Sequence, residues 1–76
     1  MKELLEYLAR ALVDKPDAVH VDVIESEKSI ILQLHVDPED VGKVIGKQGR
    51  IAKALRTVVK ASAAKEGLRA IVEIVD

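Results

Sequence analysis

The amino-acid sequence predicts a small two-layer α+β domain in the order helix, strand, strand, helix, helix, strand. The chain has 76 residues, which is the length of one domain, 1–76. Its apolar residues recur every three or four positions in some segments and alternate in others, and prolines and glycines separate these segments. With 49% hydrophobic and 33% charged residues, the chain has the composition of a folded globular protein. We expect three helices packed on one face of a three-stranded sheet.

A first helix is predicted at about residues 2–13. Its apolar residues recur at helical spacing: Leu4, Leu5, Leu8 and Leu12. Glu3 early and Arg10 late suit the helix dipole, and Pro16 ends the segment.

Two strands follow, each with one buried face. Alternating apolar residues define them: Val19, Val21 and Val23 in the first, and Ile30, Leu32, Leu34 and Val36 in the second. The short polar segment 26–29 between them predicts an antiparallel hairpin.

The second half of the chain predicts two helices and a last strand. Asp37 can cap a helix and Pro38 suits its first position. That helix is brief because Gly46 follows, and another is expected from about Arg50 to Ala64, ended by Gly67. A strand from about 68 to 75 completes the sheet, reached by a crossover that should be right-handed if the strands it joins are parallel neighbours.

Positive charge is concentrated in the middle of the chain. The formal net charge is −1, yet residues 41–60 carry six bases and no acid, whereas residues 1–40 carry four bases and ten acids. Such a local excess suits a polyanion. The alternative is a solvated helix face whose bases have acidic neighbours in the fold.

Gly46-Lys47-Gln48-Gly49 lies between the two expected helices. Glycine permits a sharp turn and lets another molecule's backbone come close, and the following helix start and Lys47 favour an anion. These features suit a phosphodiester. The alternative is structural, with Gly46 as a helix C-cap and Gly49 easing the turn.

The helix after Gly49 carries three strips on a helical wheel. An apolar arc holds Ile51, Leu55, Val58, Val59 and Ser62, and a basic stripe opposite it holds Lys53, Arg56 and Lys60, with Arg50 to one side. A strip of small residues beside the apolar arc comprises Ala54, Thr57, Ala61 and Ala64. This strip either packs inside the protein, which is slightly favoured, or pairs with another chain.

Residues 44–51, with an aliphatic pair before Gly-x-x-Gly and an aliphatic residue two places after it, resemble the core of KH domains. The element order resembles the type II arrangement, and the whole chain is similar to the small bacterial KhpA-like RNA-binding proteins. The resemblance implies that the loop clamps the backbone of single-stranded RNA while the bases lie in an aliphatic groove. The residues it assigns to RNA are Lys43, Ile45, Gly46, Lys47, Gln48, Gly49, Arg50, Lys53 and Arg56.

The resemblance also implies partners and a cellular role. Ile45 and Ile51 would support the groove, although either could be core. KhpA-like proteins are expected to form homodimers or to pair with a second KH-containing protein, and to act as RNA chaperones or post-transcriptional regulators. Tyr7 is the only aromatic residue, so aromatic base stacking is excluded and sequence discrimination should be weak.

Other functions find little support in the sequence. The segment 42–48 is one residue short of a phosphate-binding loop, and Gln48 stands where magnesium would need Ser or Thr. His20 and His35 lack metal-ligand spacing, no serine lies in a nucleophile motif, and the chain has no cysteine. We therefore expect no enzymatic activity, cofactor or metal. Lacking a signal peptide or an apolar run of membrane-spanning length, the chain is expected to be cytoplasmic.

Overall fold

The computed structural model describes residues 1–75, apart from the side chains of Lys47 and Gln48. Its elements are α1 (Lys2–Leu12), a short 3₁₀ turn (Pro16–Ala18), β1 (His20–Glu25), β2 (Ser29–His35), the helical segment α2 (Pro38–Lys65) and β3 (Arg69–Val75). The predicted α+β class is confirmed.

The three strands form one mixed sheet in the order β1-β2-β3. β1 and β2 pair antiparallel, with Val21 opposite Leu34, which confirms the hairpin. β2 and β3 pair parallel, with Leu32 opposite Val72. Because parallel neighbours cannot be joined by a tight turn, the chain returns through α2.

The core lies between the helices and one face of the sheet. Every second residue of β2 is buried: Ile30, Leu32 and Leu34. Leu5 and Ala9 cover this face from α1, and Val44, Ala52, Leu55, Val59 and Ala63 cover it from α2. The alternation of the strands therefore defines an inner face against the helices and an open face directed to solvent.

Acidic residues fix the start of α2. The Asp37 side chain accepts a hydrogen bond from Glu39 N at 2.9 Å, and Pro38 occupies the first turn, both as predicted. Asp40 does more than favour the helix dipole. Its buried carboxylate accepts hydrogen bonds from Asp14 N at 3.2 Å and Lys15 N at 3.0 Å, which joins the segment after α1 to the first turn of α2.

The helical segment α2 changes direction at Gly49. A straight helix of 28 residues would be about 42 Å long. The longest extent of the molecule is only 34 Å. Gly49 has a φ of 71°, in the left-handed region that a right-handed helix excludes. The segment therefore consists of two helical parts, 38–48 and 50–65, which agrees with the predicted order α-β-β-α-α-β. The two parts meet directly at Gly49, without a separate loop between them.

Candidate nucleic-acid interface

The two glycines of the 46–49 segment do different things. Gly49 makes the turn, because its φ of 71° is one that residues with a Cβ rarely adopt. Gly46 lies inside α2 without a left-handed φ, so the interpretation of Gly46 as a C-cap is wrong. A Cβ built on Gly46 would meet no atom within 4 Å beyond its chain neighbours and its own turn of helix, so no contact among the described residues requires a glycine there. Open space beside bare backbone is what the close approach of another molecule needs. The side chains of Lys47 and Gln48 lie outside the described residues.

The two isoleucines that flank the glycines differ in exposure. Ile45 is 50% exposed and is therefore available for contact. Ile51 is partly buried and packs against the core. Of these two, only Ile51 supports the site from within.

Most bases of the central segment have no acidic partner within the described part of the chain. Lys43 forms an ion pair with Asp14, so the expectation of acidic neighbours holds for this residue. Arg56 donates from Nε to the carbonyl oxygen of Val72 at 3.4 Å, which places its guanidinium beside β3. Three further exposed bases have no acidic group within 4 Å among the described residues: Arg50, Lys53 and Lys60.

The buried stripe of α2 lies slightly off the predicted arc. Ala52, Leu55, Val59 and Ala63 are buried, whereas Val58 is 40% exposed. The helical wheel placed the larger apolar residues at the centre of the buried arc. In the structure the helix packs closely against the sheet, and alanines fill part of that contact. As a consequence the strip of small residues is exposed throughout, and the slightly favoured prediction that it packs inside the protein is wrong: Ala54, Thr57, Ala61 and Ala64 all face solvent.

Outside α2, the described residues show neither a metal-binding cluster nor a membrane-spanning helix. Tyr7 is exposed on α1, outside α2. In the described part of the chain no group of three or more His, Cys, Asp or Glu side chains could hold a metal ion. No helix within residues 1–75 is long and apolar enough to cross a membrane.

A cavity lies away from these residues. Its volume is about 440 Å³, and it is bordered by Met1, the start of α1, the ends of β1 and β2 that meet at the hairpin, and the turn after α2. Of the residues that the sequence assigns to RNA, none that the structure describes lines it. A backbone-binding site needs open surface rather than a closed pocket, so we place the candidate site on α2.

The fold and the glycine-containing bend define the class as a KH-type binding domain. The family described as "KhpA/KhpB, KH domain" matches residues 2–74, and the chain belongs to this family, which is a binding family and not an enzyme family. Two similar proteins, both named RNA-binding protein KhpA, come from Clostridium perfringens, 65% identical over 99% of this chain and 100% of the relative, and from Aquifex aeolicus, 50% identical over 100% and 96%. No solved structure matches this chain.

Proposed function

We propose that residues 1–76 act as one KH domain that binds single-stranded RNA by its backbone, with low sequence specificity. The observation that carries the proposal is the open space beside the Gly46 backbone, next in sequence to the exposed Ile45 and followed along α2 by exposed bases that have no acidic partner among the described residues. Bare backbone admits a phosphate group, an exposed aliphatic side chain can lie under a base, and cations neutralise phosphate. The names of the relatives support the same class of ligand.

The residues assigned to the RNA site have different roles, which follow from their side chains. Gly46, Lys47, Gln48 and Gly49 form the clamp on the RNA backbone. Arg50 and Lys53 continue the phosphate contacts along the second part of α2, with Arg56 toward β3. Ile45 and Ile51 border the groove for the bases. Lys43 contributes less, because Asp14 already neutralises its charge.

The cellular role that fits this activity is that of an RNA chaperone or post-transcriptional regulator. Binding of backbone without strong sequence preference lets one protein act on many transcripts. We place this activity in the cytoplasm, as the sequence predicts. A second KH-containing protein is the expected partner, and the family description, which joins KhpA with KhpB, supports that expectation.

The exposed small residues of α2 are our candidate for association with that partner or with a second copy. Ala54, Thr57, Ala61 and Ala64 present no long side chain, so another helix can approach closely. The same observation supports the alternative function, in which the chain is a protein-interaction module and the glycine turn is only structural.

Alanine substitutions at two helical glycines separate these functions. Gly46→Ala and Gly42→Ala each add one methyl group where a Cβ meets no atom within 4 Å. Both variants should therefore fold, with stability unchanged or raised by up to about 1 kcal/mol because alanine favours helix. Only Gly46→Ala places its methyl group where the RNA backbone would lie, so we expect its affinity for single-stranded RNA to fall at least about tenfold.

Fluorescence anisotropy with a labelled oligonucleotide, beside thermal unfolding, would measure both effects. Gly42→Ala is the matched control and should bind like the unaltered protein. If folded Gly46→Ala binds RNA as the unaltered protein does, the open space beside Gly46 is not part of the RNA site. If the unaltered protein itself binds no RNA, the interaction-module alternative is favoured.

A further inference from the structure

The side chain of Arg56 is held against the outer edge of β3. Arg69 N donates to the carbonyl oxygen of Lys28 at 2.9 Å, so the peptide group of Arg69 faces β2. Because peptide groups alternate in direction along a strand, the carbonyl group of Val72 faces away from β2, toward the edge of the sheet. Arg56 Nε donates to this carbonyl oxygen at 3.4 Å. The hydrogen bond therefore fixes one side of the guanidinium group.

The other side of the guanidinium group is available to a ligand. Arg56 as a whole residue is exposed, and its two Nη groups make no hydrogen bond or ion pair to any described residue. An arginine side chain carries five N–H donors in one plane, and the contact with Val72 uses only the one on Nε. Because the group is already oriented, a ligand that binds the side formed by Nη1 and Nη2 immobilises little additional freedom.

Arg56 lies at the border between the buried and the exposed sides of α2. Its neighbours Ala52 and Val59, one helical turn away on one side, are buried against the sheet. Its neighbours on the other side, Lys53 and Lys60, are exposed. Phosphate groups carry the charge of RNA and suit the exposed lysines. A base has large apolar faces and polar edges, so it suits the border position, where apolar surface meets the oriented donors of Arg56.

We propose that Arg56 reads one base of the bound RNA and selects a base that offers two adjacent hydrogen-bond acceptors. The proposal rests on the RNA-binding function proposed above and names one position at which the RNA sequence matters. Arg56 lies about 10 Å along the helix axis from the bend at Gly49. A base that projects from a backbone held at the bend can reach this distance. Discrimination at one base agrees with low sequence specificity elsewhere.

The two parallel donors on Nη1 and Nη2 determine which bases fit. Guanine presents O6 and N7 side by side, and arginine binds this pair in the commonest specific contact with DNA. Cytosine presents N3 and O2 side by side on its Watson–Crick edge, which is free in a single strand. Adenine and uracil have a donor beside each acceptor on the corresponding edges, so they accept from only one of the two Nη groups. The arrangement therefore favours guanine or cytosine over adenine or uracil.

Four short oligonucleotides test this preference in the unaltered protein. Each is a strand of uridines in which the central base is uracil, adenine, guanine or cytosine. Fluorescence anisotropy should show that guanine, cytosine or both bind at least about fivefold more tightly than adenine and uracil. Which of the two binds more tightly identifies the base that Arg56 reads. Replacing it with 7-deazaguanine or 3-deazacytosine, each of which lacks one of the two acceptors, should remove the preference without changing the protein.

Two variants separate base reading from a phosphate contact. Arg56→Lys keeps the charge but removes the pair of parallel donors, so it should bind all four strands alike. Lys53→Ala is the control, because it removes a base on the exposed side and should weaken binding to all four strands while keeping the preference. Binding of the all-uridine strand by Arg56→Lys would show that this variant is folded.

The outcomes distinguish this inference from the proposed function. If the unaltered protein binds all four strands with equal affinity, the RNA-binding function stands and the role of Arg56 as a base reader is overturned. The same conclusion follows if Arg56→Lys keeps the preference, or if the deaza bases bind as tightly as the natural ones. If the protein binds none of the strands, both the inference and the proposed function are overturned.

Discussion

At the scale of single residues, Asp22 is held between two imidazole rings on the open sheet face. Its Oδ1 lies 2.8 Å from Nε2 of His20, and its Oδ2 lies 3.0 Å from Nε2 of His35. The His35 contact lacks hydrogen-bond geometry and leaves that buried nitrogen without a hydrogen-bond partner in the described structure. The His20 contact is a hydrogen bond, and it is the main reason that the pKa of Asp22 lies below its ordinary value of 3.8.

The lowered pKa of Asp22 predicts how the stability of the folded protein changes in acid. Ionised Asp22 stabilises the folded state at pH values above 3.8, and that contribution is lost as the pH falls through the lower pKa of the folded protein. In His20→Ala the pKa of Asp22 should rise toward 3.8, while remote carboxyl groups keep their titration curves. Carboxyl carbon chemical shifts followed by NMR would measure this. An unchanged titration of Asp22 would mean that the hydrogen bond does not form in solution.

The sequence predicted these residue-scale features unequally. Gly46 and Gly49 could be identified from their spacing. Because both are glycine, however, the sequence does not tell which one bends the chain and which one leaves open space beside the backbone. That difference depends on a dihedral angle and on neighbouring atoms. The His20–Asp22–His35 contacts depend on the register that places His20 opposite His35, which the alternation pattern leaves open.

At the scale of elements, the buried Asp40 holds α1 and α2 together. Asp40→Ala would leave the amides of Asp14 and Lys15 without acceptors in a partly buried position. We expect it to lower the free energy of unfolding by about 2 kcal/mol. Asp37→Ala removes one exposed cap from the same helix and should cost about 1 kcal/mol. Urea denaturation of both variants would compare them, and equal losses would contradict the bridging role of Asp40.

The bounds of the elements could largely be predicted because they follow apolar periodicity and turn residues. The predicted first helix, at about 2–13, compares with Lys2–Leu12, and the predicted last strand, at about 68–75, compares with Arg69–Val75. The orientation of α2 was harder. A wheel weighted by side-chain size favoured Val58 for the core, but the packing buries Ala52 and Ala63 instead and exposes the strip of small residues. The side of a helix that packs closest to a sheet depends on the shapes of both surfaces. The sequence of the helix alone therefore does not determine it.

At the scale of the whole molecule, the helical side and the open sheet face differ in the side chains that they expose. The helical side carries the bend at Gly49 and most of the bases, and the open sheet face carries the exposed isoleucines Ile24 and Ile71. The net charge of −1 averages over this division and conceals it. Recognition of a polyanion depends on the local field of the helical side, which the net charge does not report.

The salt dependence of RNA binding measures how many of these bases meet phosphate. If about three of them do, log affinity should fall with log salt at a slope near −2, at roughly −0.7 for each contact with a single strand. Lys53→Ala and Lys43→Ala change the net charge equally, but Lys43 already has a counterion in Asp14, whereas Lys53 has none among the described residues. Lys53→Ala should therefore make the slope shallower by about 0.7, and Lys43→Ala should leave it nearly unchanged. Binding titrations between low and physiological salt would decide. Equal changes in the two variants would show that overall charge governs binding, and a slope of zero in the unaltered protein would contradict the phosphate contacts altogether.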